Sequence, residues 1–527
     1  MTPDQLRKNV LRSTASSWLR ILLRMALGLV TFRLLYQGLA PEEFGFWALL
    51  WAIFGYGILL DFGLGSAAQK QVAELSVRQD WPALSRVLST ILGFHILSAV
   101  VVVTLGFAFS GPLVDLFQVS PANREPFRRI FTVFLTGMGI AFPLGIFIEV
   151  LYGQHRITTA NNIAMASLLA NFAAVVLSIV LHLGLLTLVT LAVLSILIPY
   201  AFAAFTAVRH MPQVRLLPSL FSLHTLATTA RFSVCAYLNM LSSALRNKVD
   251  QPIIASILGI AAVTPYQAGS RVGEMFGMLT RQVADVLSPT AAHLHAKGDT
   301  DTLRQMLIDG LRLSILAATP LYLVTAFYMN GVLRFLTGVP NPSAEMVWTG
   351  QVLLFWYYSL TITHWVFKRM FLMAGQERRL MIHGVTEAAL NIGLGITLTL
   401  ALRNILGVAI GSAIPTVCLG WGLLWGWAAR EARLTRWNLL RRVVLPAWYG
   451  CLPMIALALA FQAQPFWTSG ANLPLVVAEA AAVSVTGLAG LWFLALSPTE
   501  RTTLSRRLRR QPAPPPPPSP SPNPSSA

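Results

Sequence analysis

Fourteen long, mostly apolar stretches dominate this sequence and leave few folds open to it. They lie at about 14–37, 43–66, 86–110, 127–151, 160–181, 184–207, 227–256, 264–289, 305–329, 346–374, 380–401, 405–429, 443–462 and 474–496. Each is near or above the roughly 20 residues that a helix needs to cross a bilayer. None alternates with period two, so helices are expected rather than barrel strands. The chain is 55% hydrophobic and only 11% charged, whereas a soluble domain is about 25% charged. A soluble enzyme is thereby excluded. The expected fold is all-α and polytopic, with about 14 transmembrane helices.

The net charge is +18. In a soluble chain this would suggest nucleic acid; here the positive-inside rule and anionic headgroups are the simpler account, and no nucleic-acid partner is expected. With the N-terminus in the cytoplasm, the cytoplasmic segments carry 23 Lys and Arg, counting Arg86 at a helix edge. The opposite side carries five: Arg124, Arg128, Arg129, Arg334 and Arg403. This asymmetry places both termini in the cytoplasm and anionic lipids against the cytoplasmic loops. Arg20, Arg24 and Arg33 interrupt the first apolar run, so it reads as a spanning helix and not as a cleaved leader. After Ser497 comes the basic cluster Arg506-Arg507-Leu508-Arg509-Arg510, then a Pro/Ser stretch at 512–525 that cannot form a core.

An internal repeat organises the rest. Gly153-Gln154-His155-Arg156 recurs as Gly375-Gln376-Glu377-Arg378, and Asn171 recurs as Asn391. Gly38 recurs as Gly259, and Ala73, Leu75, Asp80 and Leu84 recur as Ala292, Leu294, Asp299 and Leu303. The shared offset contains six helices, an even number, so the halves keep one orientation. The expected plan is a cytoplasmic N-terminus (1–13), an N-lobe (14–210), a parallel C-lobe (227–430), two extra helices (443–496) and a disordered basic, Pro-rich tail (497–527). Transporters built from such repeats carry substrate between the lobes.

A charge at the centre of a membrane helix costs about 2.5–3.5 kcal/mol on insertion scales and needs a cavity, a partner or a route to the interface. On the eighth segment Gln267, Arg271, Glu274, Arg281 and Asp285 fall within about 80° of helix surface. On the seventh, Asn239, Ser242, Ser243, Arg246 and Asp250 fall within about 100°. Both stripes are expected to face a central, water-lined cavity. Arg24, Arg246, Arg271 and Arg281 are the candidates for holding an anion, phosphate being the natural match for a guanidinium fork. The alternative is that Arg271 with Glu274, and Arg281 with Asp285, only neutralise each other along the helix. Asp61, Glu149, Arg20, Asp250, Glu274 and Asp285 are the candidates for coupling or gating. Asp61 and Glu149 could carry a proton or cation, or form a gate bridge with Arg20 or Arg24. Glu387 and Glu479 are expected to be hydrogen-bonded within the bundle. His95, His182, His364 and His383 show no ligand spacing, and Cys235, Cys418 and Cys451 read as small core residues. No hydrolytic triad, P-loop or metal cluster emerges, the loops opposite the cytoplasm are short, and neither catalysis nor a cofactor is expected.

Several segments resemble a known family. Leu39-Ala40-Pro41-Glu42-Glu43-Phe44-Gly45-Phe46-Trp47, Gly55-Tyr56, Leu60-Asp61-Phe62-Gly63-Leu64-Gly65 and Val72-Ala73-Glu74 are similar to the opening of Wzx-type O-antigen and exopolysaccharide flippases. These belong to the multidrug/oligosaccharidyl-lipid/polysaccharide exporter superfamily. Asn391-Ile392-Gly393 through Gly407-Val408-Ala409-Ile410-Gly411 resembles their penultimate hairpin. The resemblance implies two six-helix lobes with alternating access and a cationic cavity. It also implies a substrate of undecaprenyl diphosphate carrying an oligosaccharide, a bacterial inner-membrane location, coupling to a proton or sodium ion, and glycosyltransferases or a glycan polymerase as partners. The competing readings are a lipid II flippase, a drug/cation antiporter of the same superfamily, and a membrane glycosyltransferase or polymerase.

Overall fold

The computed structural model describes residues 3–55, 61–229, 234–373, 376–463, 473–498 and 500–502. Among these residues every regular element is a helix. The first half contains α1 (Pro3–Gly38), α2 (Pro41–Gly55), α3 (Leu64–Arg78), α4 (Trp81–Leu116), α5 (Arg124–Leu144), α6 (Ile146–Gly153), α7 (Ile157–Val180) and α8 (Gly184–Arg209). After the short α9 (Leu223–Thr229), the second half contains α10 (Val234–Lys248), α11 (Asp250–Leu258), α12 (Val263–Ala296), α13 (Thr300–Phe327), α14 (Met329–Thr337) and α15 (Ala344–Leu360). It continues with α16 (Val366–Met373), α17 (Glu377–Leu402), α18 (Leu406–Leu419) and α19 (Trp425–Glu431). Then come α20 (Arg436–Val443), α21 (Leu445–Ala463) and α22 (Leu473–Gly490).

Local chemistry sets the breaks. Asp61, Phe62 and Gly63 form a turn in which Phe62 (φ 48°) and Gly63 (φ 77°) are left-handed, so the predicted single segment 43–66 ends here and α3 begins. Asp80 caps α4 by accepting the Ala83 N–H at 3.1 Å, and Asp299 caps α13 by accepting the Thr302 N–H at 3.1 Å. These are repeat-related positions with the same job.

The packing repeats as the sequence does. In the first half α1 lies on α7, α7 on α8, α5 on α8, and α4 on α5. In the second half α10 lies on α17, α17 on α18, α15 on α18, and α13 on α15. The repeated asparagines make equivalent braces: Asn171 Nδ2 donates to Ser195 Oγ at 3.3 Å, and Asn391 Nδ2 donates to Ser412 Oγ at 2.8 Å. The helices α21 and α22 pack on each other and on α13 through a small core of Cys451, Met454, Ala458 and Val483.

The halves join firmly at one end. Gly45 of α2 lies so close to the Ile260 carbonyl that an added Cβ would come within 2.1 Å of its oxygen. Thr264 Oγ1 donates to the Pro41 carbonyl at 2.6 Å, and Gln118 Nε2 donates to the Ser256 carbonyl at 2.8 Å. Arg33 donates to the Phe335 carbonyl there. The charge asymmetry expects this end to face away from the cytoplasm.

Nine helices of the described residues are long and apolar enough to cross a membrane. On α4 the exposed Leu97, Val100, Leu105 and Phe109 form the outward face that hydrocarbon would cover. In the five predicted segments outside the nine, at 14–37, 43–66, 227–256, 264–289 and 346–374, the described residues are mainly helical, and charged residues interrupt the first and eighth segments. Four of them, the first, second, seventh and eighth, take part in the contacts between the halves, together with Gln118 and α14.

Candidate functional site

The eighth-segment stripe behaves as expected in part. A cavity of about 120 Å³ opens between α1 and α12, lined by Arg24, Met25, Arg271, Glu274, Met275 and Met278. Arg24 and Arg271, 247 residues apart in the chain, thus share one pocket. Arg271 Nη2 donates to the Gly28 carbonyl at 3.1 Å, and its guanidinium lies 5.8 Å from the Phe32 ring centroid. Its Nη1 is 3.6 Å from Glu274 Oε2, too long for a hydrogen bond. Arg20, one turn before Arg24, acts on it electrostatically together with Arg271, Tyr200 and Glu274. Two guanidinium groups and one carboxylate thus line the pocket, with Arg20 adding positive charge from one turn away, and the pocket is net positive. The methionines give it a soft, adaptable apolar side. Further along α12, Arg281 stacks over Trp365 at 4.1 Å. The side chain of Asp285 lies outside what is described. A larger cavity, about 400 Å³, lies at the joined end among Glu43, Arg129 and Leu185, away from these arginines.

The seventh-segment stripe differs from its expectation. It turns into the second half and not toward the other half. Asn239 donates to the Glu377 carbonyl at 3.3 Å, and Ser242 is buried against Gly384. Arg246 is 4% exposed, with Nη1 2.7 Å from Glu387 Oε2. Asp250 accepts from the Tyr266 hydroxyl, and from Ser412 Oγ at 3.0 Å. The physical reason is that α17 and α18 offer partners to Asn239, Arg246 and Asp250, so these groups are satisfied without water. A helical wheel gives the angle of a stripe but not the chemistry of its neighbour.

Asp61 departs from the expected arginine gate. Its Oδ1 accepts the Gly65 N–H at 2.9 Å and lies 3.1 Å from His95 Nε2, whose side chain is 3% exposed. Glu149 approaches the same place: an added Cβ on Gly65 would lie 3.3 Å from both Asp61 Oδ1 and Glu149 Cγ. His95, read from the sequence as having no role, is thus the partner of Asp61.

His364 and His383 are likewise corrected. His364 Nε2 is 3.0 Å from Glu387 Oε1, and His383 Nδ1 is 3.7 Å from Glu387 Oε2. Thr416 Oγ1 donates to Glu387 Oε1 at 2.9 Å, and Lys368 Nζ to Oε2 at 3.3 Å. The two histidines and the carboxylate come close enough for a metal ion, yet Arg246 and Lys368 already hold that carboxylate with positive charge and would repel a dication. The cluster is an ion-pair network. A sequence signal for it exists: His364 with Lys368, and His383 with Glu387, are both spaced i,i+4 on consecutive segments.

A polysaccharide biosynthesis protein family model matches residues 34–339, more than half of the chain. The chain belongs to that family. A second model, lipid II flippase MurJ, matches residues 234–477 of this polysaccharide biosynthesis family member. No curated protein sequence matches it. Among solved structures it is similar to the lipid II flippase MurJ in an inward closed conformation, at TM-score 0.69 and 12% identity, covering 95% of this chain and 99% of that one. It is also similar to an inward-facing MATE multidrug resistance transporter of the MOP superfamily, at TM-score 0.66 and 16% identity, covering 78% and 96%. A third is a MOP superfamily transporter from Pyrococcus furiosus, described by the reversed polarity of its binding pocket, at TM-score 0.58 and 15% identity, covering 81% and 96%. At such identities the structures establish the fold. Together with the family match and the nine helices long and apolar enough to cross a bilayer, they make this family member a multi-pass integral membrane protein with the fold of these transporters.

Proposed function

We propose that the protein translocates an oligosaccharide linked to undecaprenyl diphosphate from the cytoplasmic to the periplasmic leaflet of a bacterial inner membrane. It would serve O-antigen, capsule or exopolysaccharide synthesis, receiving its substrate from glycosyltransferases and delivering it to a glycan polymerase. The observation that carries this reading is the meeting of Arg24 and Arg271, from opposite halves, in one net-positive pocket. A diphosphate is dianionic or more and accepts forked hydrogen bonds from guanidinium groups. Moving it through hydrocarbon requires a polar surface that replaces its hydration, and this pocket provides one. The joined end at Gly45 and Ile260 supports alternating access, because the pocket must open to one side at a time. The two halves then act as the N-lobe and C-lobe, with both termini in the cytoplasm.

The second reading, lipid II as the cargo, is favoured by the MurJ model match over 234–477. Both substrates carry a polyprenyl diphosphate, so the arginine pocket serves either. A drug/cation antiporter fits less well, since an organic cation would meet Arg20, Arg24 and Arg271. The test is flipping by purified protein in proteoliposomes, comparing an undecaprenyl-diphosphate oligosaccharide with lipid II and with a lipophilic cation. Accelerated movement of the cation alone would overturn the proposal. Sugar release or transfer from the lipid-linked substrate would place the protein among enzymes.

A further inference from the structure

Two π-helical turns meet inside the second half. Thr361–Trp365 joins α15 to α16, and Gly420–Leu424 joins α18 to α19. They touch at Gly420, where an added Cβ would lie 2.6 Å from Thr363 Oγ1 and 3.0 Å from His364 Cε1. Single π turns disturb helix regularity and recur at functional sites. Beside this contact sits the Glu387 network, which takes no part in the arginine pocket.

The charge balance of the network is the informative feature. Glu387 Oε2 faces both the Arg246 guanidinium at 2.7 Å and the Lys368 ammonium at 3.3 Å. Oε1 is occupied by the Thr416 hydroxyl and by His364. With all three ionised, the site holds two positive charges and one negative. Among the described side chains the surrounding elements do not restore the balance. Helix α17 adds His383. On α12, Arg281 is directed to Trp365. Asp250, one turn beyond Arg246, is engaged by Tyr266 and Ser412. Helix α13 meets α16 through Gly310, near Val366. Excess charge in a low-dielectric interior is unfavourable, and the group best able to discharge it will do so. A guanidinium does not deprotonate in proteins, whereas a lysine amine does so readily when buried. Lys368 is also the least covered of the four: its side chain is 22% exposed, against 4% for Arg246, 1% for Glu387 and none for His364.

We propose that Lys368, seated on Glu387 beside Arg246, is a proton-exchange site, and that its loading and release accompany the transport cycle. On release an N–H bond of the ammonium breaks, the electron pair stays on Nζ, and the proton leaves to water as hydronium. Glu387 and Arg246 remain as a neutral pair. The uncharged amine has lost its attraction to the carboxylate, so the α16–α17 contact differs between the two forms. The coupling rests on the transport reading above; the exchange itself does not.

The sequence has only five lysines, Lys8, Lys70, Lys248, Lys297 and Lys368, which makes the site directly visible. In full-length protein whose amines are ¹³C-methylated, one NMR resonance, absent from Lys368→Arg, should change shift between about pH 6 and 9. A Lys368 resonance that stays constant to beyond pH 10 overturns the proposal. The second arm measures flipping of an undecaprenyl-diphosphate oligosaccharide in proteoliposomes with and without an imposed pH gradient. Wild-type flux should respond to the gradient. Lys368→Arg, which keeps the charge and the ion pair, should flip at a rate indifferent to it. A gradient response in Lys368→Arg equal to wild type overturns the coupling. Titration in the neutral range without any flipping leaves the proton site standing and removes the transport reading instead.

Discussion

At the residue scale the arginine pocket makes separable claims. Arg24→Gln or Arg271→Gln should reduce flipping by roughly tenfold or more, because a hydrogen bond to a charged group contributes about 1.5–3 kcal/mol. Arg→Lys at either position keeps the charge but loses the fork, so flux should fall less. If Arg271 served only to neutralise Glu274, the double change Arg271→Gln with Glu274→Gln would restore flux. The 3.6 Å separation and the excess of guanidinium groups lead us to expect no rescue, measured in proteoliposomes at matched protein density. Glu42 gives a pH test outside the membrane spans. Partial burial works against its charged form. The Ser120 N–H at 2.6 Å, the Ser120 hydroxyl at 2.8 Å and the Asn123 amide at 2.6 Å outweigh that and hold the carboxyl below its ordinary range. A depressed folded value stabilises fully above the unfolded value, about 4.3, and the benefit is lost as pH falls through the folded one. Thermal unfolding of Glu42→Gln should therefore converge on wild type in acid and fall below it at neutral pH. Arg24 and Arg271 were legible in the sequence because an isolated arginine in an apolar run has few explanations. His95, His364 and Lys368 were not, because their partners lie on other helices and spacing along one helix says nothing about them.

At the element scale the duplicated braces and the joined end are open to test. Asn171→Ala and Asn391→Ala remove equivalent interhelical hydrogen bonds, each worth about 0.6 kcal/mol on average in membrane bundles. The Asn391 change should lower the melting temperature more, since Ser412 also serves Asp250 in the same buried network. Equal losses would show that the second brace carries no additional load. Gly45→Ala places a methyl group against the Ile260 carbonyl, which backbone cannot easily yield. The halves should then fail to seal at that end, with transport lost while the protein still reaches the membrane; cysteine labelling near Ser256 would report the unsealed gap. Hydrophobic run length located the helices well. It did not locate the breaks at Asp61–Gly63 and Gly145, nor the π turns, because these depend on a few backbone angles and on the helix packed alongside.

At the scale of the whole molecule, the matching offsets revealed the parallel duplication, because both copies kept their caps and braces while the surfaces between them diverged. Removing residues 512–527, which lie outside the described structure, should leave flipping unchanged, since a Pro/Ser chain makes no packed core; loss of surface glycan at equal protein level would contradict this. Reporter fusions at the two termini should both report a cytoplasmic location, and opposite locations would overturn the charge-based orientation. The charged first and eighth segments, with Arg20, Arg24 and Arg33 in one and Arg271, Glu274, Arg281 and Asp285 in the other, have a consequence for synthesis. One of them is the first segment to leave the ribosome. Such segments partition poorly into lipid one at a time, so they must wait at the insertion machinery until a more apolar helix arrives to shelter them. The polarity that suits the chain for its cargo thus makes its own insertion a collective event, and mutations that make these helices greasier should speed assembly while blunting transport.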